Sequence, residues 1–98
     1  MIEFHTGAWC DAHVHGETER AEHEFQRIVM AAGYASNLGF ECHAGHGLDY
    51  DTARRIAALP EIVELNIGHF LVGEGIFVGL PAAIREMRRS MDEGRTAA

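Results

Sequence analysis

Phe40-Glu41-Cys42-His43-Ala44, followed by Gly45-His46-Gly47, is the stretch that decides the fold of this 98-residue chain. It predicts a short buried strand that ends in a glycine-containing turn. Two other stretches, Ile2–His5 and 62–67, have the same apolar character and are also followed by glycine within two residues. Helical spacing fills the intervals, and this alternation of strands and helices predicts an α/β fold with a parallel sheet.

Apolar residues at helical spacing predict a long helix over about 17–37. They are Phe25, Ile28, Val29, Ala32 and Ala35. A second helix is expected after a cap at Asp49 or Asp51, and Pro60 ends it. The segment 73–77 is predicted as a short helical or irregular connection. A last helix is expected to begin near Pro81 and to fray over 94–98.

The three predicted strands alternate polar and apolar residues. One face would carry three polar pairs, and the other face would be apolar. The pairs are Glu3 with His5, Glu41 with His43, and Glu64 with Asn66. An open doubly wound sheet needs apolar residues on both faces. The pattern therefore favours a barrel with a polar interior over three exposed strands with solvated glutamates.

The length of the chain limits how much of a barrel it can hold. A strand, a helix and two loops take roughly 25–30 residues, so 98 residues provide about three such units. An eight-fold barrel needs about 250 residues. We therefore expect residues 1–98 to be one partial domain, the last third of a larger barrel.

Composition and charge narrow the functional classes. The chain is 47% hydrophobic and 23% charged, with 8 Lys and Arg against 15 Asp and Glu, for a net charge of -7. Such an acidic protein repels phosphate backbones and anionic lipids, so neither nucleic acid nor a membrane is an expected partner. The N-terminus lacks the pattern of a signal peptide, and two cysteines indicate a reducing compartment. We expect a cytoplasmic protein.

Three motifs, in this order, carry a resemblance to a known family. They are Glu3-Phe4-His5-Thr6-Gly7, His43-Ala44-Gly45-His46-Gly47-Leu48 and Glu64-Leu65-Asn66-Ile67-Gly68-His69. From residue 2 to about 93 the chain resembles the carboxyl-terminal part of the pyridoxine 5'-phosphate synthase family. The resemblance implies a (β/α)8 TIM barrel, of which these are strands six, seven and eight. It also implies a homo-oligomer, an octamer in the family.

The resemblance implies a reaction and its site residues. The family condenses 1-deoxy-D-xylulose 5-phosphate with 3-amino-2-oxopropyl phosphate, releasing phosphate and water, with no metal or organic cofactor. His46 matches the proton donor, and Glu3 matches the residue that stabilises the transition state. Gly47, Gly68 and His69 match the residues that bind the aminoketone phosphate.

The residue types suit these roles. An imidazole can give a proton to a leaving oxygen near neutral pH, and a carboxylate stabilises positively charged intermediates. A Gly-His turn that opens a helix offers N–H groups to a phosphate. A surface histidine at position 46 and a structural carboxylate at Glu3 are the alternative interpretations.

Other features predict no separate site. His13 and His15 are expected in a solvated loop over 12–17, and Trp9 and Cys10 in a loop wall. Histidine pairs alone predict no metal site. The family's first five units, with its catalytic bases, have no counterpart here, so we expect the isolated chain to be inactive. The alternatives are a non-enzymatic truncated remnant and another phosphate-binding barrel enzyme.

Overall fold

In a computed structural model of the protein, which describes residues 1–97, three parallel strands alternate with five helices. The sheet has the order β1-β2-β3, and both neighbouring pairs are parallel. The elements are β1 (Ile2–His5), α1 (Gly7–Val14), α2 (Thr18–Asn37), β2 (Cys42–Gly45), α3 (Tyr50–Ala57), β3 (Ile62–Asn66), α4 (His69–Val78) and α5 (Leu80–Ala97). The predicted α/β fold with a parallel sheet is confirmed.

The strand register produces the expected two-faced sheet. Glu3 pairs with His43, and His43 pairs with Glu64, so polar residues lie side by side across the three strands. The register shifts between Cys42 and His43, which leaves Val63 as the extra residue of a β-bulge in β3. Because of the bulge, the residues after Val63 alternate between the two faces of the sheet in step with their partners in β2.

The apolar face of the sheet packs against the helices. Cys42, Ala44 and Ile62 of the sheet join a core that also contains Trp9 and Phe25. Trp9 is 1% exposed, and its ring lies 5.0 Å from that of Phe25. Burial of this apolar area is the main contribution to the stability of the sheet and helix layers.

The segment after β1 is a helix, and the prediction of a loop wall there is wrong. Trp9 and Cys10 are both buried in α1, because their side chains pack into the core between the sheet and α2. His13 also belongs to α1, and His15 follows the end of this helix. Both histidines are exposed, as expected. The predicted loop over 12–17 is only partly a loop, because α1 extends to Val14.

The last two helices also differ from the prediction. The segment 73–77, expected to be a short helical or irregular connection, is helical and belongs to the longer helix α4. Helix α5 continues to Ala97, so the predicted fraying over 94–98 is wrong up to that residue, while Ala98 lies outside the described residues. Gly94 is buried against the backbone of Arg54, and the Arg95 guanidinium donates to the carbonyl oxygens of Leu59 and Ile62. These contacts hold the end of α5.

Asp49, and not Asp51, caps α3. Its Oδ1 accepts a hydrogen bond of 2.8 Å from the Thr52 N–H, and Thr52 Oγ1 accepts one of 2.8 Å from the Asp49 N–H. This reciprocal capping box fixes the start of α3 just after the turn that follows β2.

Within residues 1–97, no helix is long and apolar enough to cross a bilayer.

Candidate active site

The carboxyl ends of the three strands open into a cleft of about 1040 Å³. All five site residues that the sequence predicts line this cleft, and they come from three separate segments. They are Glu3 of β1, His46 and Gly47 after β2, and Gly68 and His69 after β3. His5, Asp49, Asn66 and Phe70 also line it. Parallel strands bring their carboxyl ends to one edge of a sheet, which is why segments distant in sequence meet here.

The turn after β2 has an uncommon backbone conformation. His46 has a φ of 89°, and Gly47 follows with a φ of 81°. Positive φ is uncommon for a residue with a side chain and costs free energy. In this conformation the imidazole of His46 is exposed in the cleft, while its carbonyl oxygen accepts a 2.6 Å hydrogen bond from the buried Thr6 hydroxyl.

His5 lies directly against His46. The two imidazole rings are stacked, with centroids 4.2 Å apart and an interplanar angle of 26°. The Gly7 N–H donates to Nδ1 of His5 over 3.4 Å, which leaves Nε2 of a neutral His5 ring to carry the proton. Two imidazoles therefore stand side by side at the ends of β1 and β2, a pair that the sequence analysis did not predict.

The carboxylate of Glu3 is oriented by an amide from β3. Nδ2 of Asn66 donates to Oε2 of Glu3, which connects the two outer strands across the polar face of the sheet. The same face holds His43 between Glu41 and Glu64. Because a charged carboxylate in a fixed position stabilises positive charge that develops near it, Glu3 has the electrostatics for the predicted role.

The third side of the cleft is the start of α4. Gly68 precedes this ten-residue helix, and no side chain caps it. The first N–H groups of a helix have no partner within the helix, and they favour anions together with the helix dipole. A Cβ added at Gly68 would meet no atom within 4 Å, so there is open space beside this residue.

Cys10 is a core residue and not a candidate nucleophile. Cys10 is 3% exposed, and burial raises the pKa of its thiol. Since thiolates and not thiols are nucleophiles, this residue belongs to the core. Within the part of the chain that the structure describes, no group of three or more His, Cys, Asp or Glu residues is arranged to hold a metal ion.

These features define a class of protein. Histidine, carboxylate and glycine turns around an open cleft at the carboxyl ends of parallel strands are typical of α/β proteins that bind small molecules. A sequence model of the family described as "Pyridoxal phosphate biosynthesis protein PdxJ" matches residues 1–93. The chain belongs to this family, and the resemblance found in its motifs is confirmed.

Individual relatives support the same assignment, and each is named pyridoxine 5'-phosphate synthase. The protein of Bradyrhizobium diazoefficiens is 59% identical over 98 residues, which cover 100% of this chain and 39% of the relative. That of Xanthobacter autotrophicus is 61% identical over 97 residues, 99% of this chain and 38% of the relative. That of Ruegeria pomeroyi is 56% identical over 95 residues, 97% of this chain and 38% of the relative. The chain thus spans less than two-fifths of the length of these relatives.

Proposed function

We propose that residues 1–98 form strands six to eight, with their helices, of a (β/α)8 barrel. The parallel sheet with one polar face supports this proposal, because the interior of such a barrel is lined by alternate residues of every strand. The coverage of the relatives supports it too. Three units of eight would be three-eighths of a barrel, close to the 38–39% of each relative that the chain spans.

The activity we propose is that of pyridoxine 5'-phosphate synthase, with this chain supplying part of the site. The substrates would be 1-deoxy-D-xylulose 5-phosphate and 3-amino-2-oxopropyl phosphate, condensed with release of phosphate and water. The observation that carries the proposal is the convergence of Glu3, His46, Gly47, Gly68 and His69 on one cleft. As the family resemblance implies, we propose that no metal and no organic cofactor takes part.

His46 would donate the proton to a departing oxygen. Its ring is exposed in the cleft and is held beside His5, so it can reach a bound substrate. A positioned general acid contributes about 10²–10⁴-fold to the rate of such a step. Glu3, held by Asn66, would stabilise the positive charge of the iminium-like intermediates that an amine and a ketone form.

Gly68 and His69 would bind the aminoketone phosphate, and Gly47 would contact the same substrate. The chain contains no lysine, so the phosphate would be held by the N–H groups at the start of α4, by the His69 imidazole, or by arginines from other parts of the protein. We further propose a cytoplasmic homo-oligomer, an octamer as in the family, with the two phosphate substrates as its small-molecule partners.

A segment exchange tests this function. The stretch of the Bradyrhizobium diazoefficiens protein that matches this chain is replaced by residues 1–98, and product formation from the two substrates is measured. We expect the hybrid to make product within about tenfold of the unchanged relative. His46→Ala should reduce turnover about 10²-fold or more. His23→Ala, which removes an exposed histidine of α2, is the matched control.

Two results would contradict the proposal. A folded hybrid that makes no product would contradict the synthase assignment. An active hybrid whose turnover is unchanged by His46→Ala would contradict the assignment of His46 as the proton donor. The isolated 98-residue chain should make no product, because the family's catalytic bases belong to the units that it does not contain. Product formation by the isolated chain would overturn this last point.

A further inference from the structure

We infer that Thr6 and Gly7 are positioning residues that set the place of the His46 imidazole. This inference rests on the proposed function, in which His46 donates a proton, and it extends that function to two residues of a different strand end. Thr6 acts on the backbone of His46, and Gly7 acts on its ring. Neither residue needs to contact a substrate for this role.

Thr6 fixes the turn after β2 from the neighbouring strand end. The Thr6 side chain is fully buried, and its hydroxyl lies 2.9 Å from the carbonyl oxygen of Gly45 and 2.6 Å from that of His46. The backbone N–H of Thr6 also donates to the Gly45 carbonyl over 2.9 Å. The Gly45 carbonyl oxygen thus has two possible donors, the N–H and the hydroxyl of Thr6. The donor to the His46 carbonyl oxygen is the Thr6 hydroxyl.

The backbone of His46 needs such a contact. At a φ of 89° this residue has a conformation that a side-chain-bearing residue rarely adopts and that must be stabilised by its surroundings. Without the hydroxyl, the His46 carbonyl oxygen would lose this donor, and the turn would relax toward negative φ. Since the imidazole is attached to this residue, the relaxation would move the ring away from its place beside His5.

Gly7 provides the space in which the two rings stack. A Cβ at this position would lie 2.7 Å from Cε1 of His5 and 2.9 Å from Cδ2 of His46, closer than Cβ atoms approach other atoms in proteins. Gly7 does not have a positive φ, so alanine can adopt its backbone conformation within α1. An alanine here would displace the imidazoles while the chain around it keeps its fold.

Substitutions of Thr6 in the active hybrid test the first contact. Thr6→Val removes the hydroxyl and keeps the shape, and Thr6→Ser keeps the hydroxyl. We expect Thr6→Val to lower kcat by about 10–100-fold with KM changed less than about threefold, because a displaced group slows the chemical step. Thr6→Ser should restore most of kcat.

Ser90→Ala is the matched control for Thr6. It removes another fully buried hydroxyl, one that donates to the Glu86 carbonyl over 3.0 Å in α5, outside the cleft. It should lower stability without changing kcat. A Thr6→Val hybrid that folds and keeps kcat within about twofold of the parent would overturn the inference for Thr6.

Gly7→Ala tests the second contact, with Gly33→Ala as its control. An added Cβ at Gly33 in α2 would meet no atom within 4 Å, so this variant should leave kcat unchanged. Gly7→Ala should lower kcat by about tenfold or more, with little change in its unfolding transition. Equal kcat values for the two variants would remove Gly7 from the inference.

A spectroscopic readout separates this inference from the proposed activity. The close approach of Gly7 to Cδ2 of His46 predicts a nuclear Overhauser contact between Gly7 Hα and His46 Hδ2 in the labelled hybrid. The contact should persist in Thr6→Ser and disappear in Thr6→Val. If the parent hybrid makes no product, the proposed function fails. Even then, a contact that is lost in Thr6→Val and kept in Thr6→Ser supports the inference that Thr6 positions the His46 imidazole. Retention of the contact in both variants overturns it.

Discussion

The imidazole Nε2 of His43 lies 2.6 Å from a carboxylate oxygen of Glu41, the residue two positions before it. On its other side, Nδ1 of His43 lies 3.1 Å from Glu64 of β3. His43 is buried, with 8% of its surface exposed, although it stands on the polar face of the sheet. This histidine therefore joins two strands of that face and separates two carboxylates that would otherwise repel each other.

We expect His43→Ala to destabilise the protein by about 1–2 kcal/mol, because both carboxylates lose a partner and approach each other without compensation. The two carboxylate side chains are 62% and 56% exposed, which places the effect at the low end of the range for charged hydrogen bonds. Urea unfolding of the hybrid measures the change. His23→Ala should stay within about 0.5 kcal/mol of the parent, and an equal effect of both variants would contradict the prediction.

His46→Asn is a sharper test of proton donation than His46→Ala. Asparagine tolerates positive φ, so it should preserve the turn that His46 forms at a φ of 89°. It cannot transfer a proton. We expect kcat of the hybrid to fall about 10²–10⁴-fold, equivalent to about 3–5 kcal/mol of barrier, with KM within a few-fold. Steady-state kinetics in both substrates decide it, and a raised KM at unchanged kcat would indicate a binding role instead.

Gly68→Val should weaken phosphate binding without weakening the fold. The φ of Gly68 is negative, and an added Cβ would meet no atom within 4 Å, so the valine Cβ introduces no steric overlap. Its side chain would stand before the N–H groups at the start of α4 and reduce affinity for the aminoketone phosphate at least about tenfold, or ~1.4 kcal/mol. Calorimetric titration of the hybrid measures this. Unchanged affinity would contradict the assignment of the phosphate site to Gly68 and His69. The control is His46→Ala, which should bind the aminoketone phosphate within a few-fold of the parent hybrid.

Cys10 should make the stability depend on alkaline pH. Burial raises the pKa of the Cys10 thiol, while hydrogen bonds to Thr52 and Thr6 lower it by less. As pH rises past about 8.5, the unfolded chain loses this proton before the folded protein does, so stability that is fully present below that pH is lost above it. We expect unfolding free energies to decline more between about pH 8 and about pH 10 in the parent than in Cys10→Ala, because this range includes the ordinary thiol pKa of about 8.5. Parallel curves for the two proteins would contradict this.

Gly94→Ala should destabilise the protein by about 1–3 kcal/mol. An added Cβ would overlap the carbonyl oxygen of Arg54 and lie 2.8 Å from its carbonyl carbon, so α5 would have to move away from α3. A frayed tail would give the opposite sign, because alanine favours a helix by about 1 kcal/mol over glycine. Gly33→Ala, in open space on α2, is the control and should stabilise by about 0.5–1 kcal/mol. Thermal unfolding of both variants measures whether each change in stability has the expected sign, and stabilisation by Gly94→Ala would contradict the prediction.

The sheet could be predicted from the sequence because its signal is local. Alternation of polar and apolar residues is visible within each strand, and the glycine after each strand marks its end. Helix α1 could not be predicted in this way, because its apolar residues are not confined to one face: Trp9 and Cys10 are buried, whereas Val14 is exposed. Helix α4 has glycines inside it and apolar residues on all sides, which resembles an irregular connection.

The position of the candidate site could be predicted to the level of strand ends, and the roles of its residues stay predictions. What the sequence could not reveal is how the side chains support one another. Thr6 and His46 are 40 positions apart, and nothing near either residue indicates that the hydroxyl of one meets the carbonyl of the other. The end of α5 was missed for the same reason, since the partner of Gly94 is the distant Arg54.

The central place of β2 in the sheet has a consequence for the order of folding. Its partner β3 follows after a short connection through α3, whereas β1 is joined to it through the longer connection that contains α1 and α2. Closing a loop of twice the length costs about 0.6 kcal/mol more, so we expect the parallel β2-α3-β3 unit to nucleate first and β1 to dock later. The Thr6 to His46 hydrogen bond joins these two parts. The imidazole geometry that this bond supports would then arise only once β1 has docked on β2, and no form in which β1 is undocked would possess it.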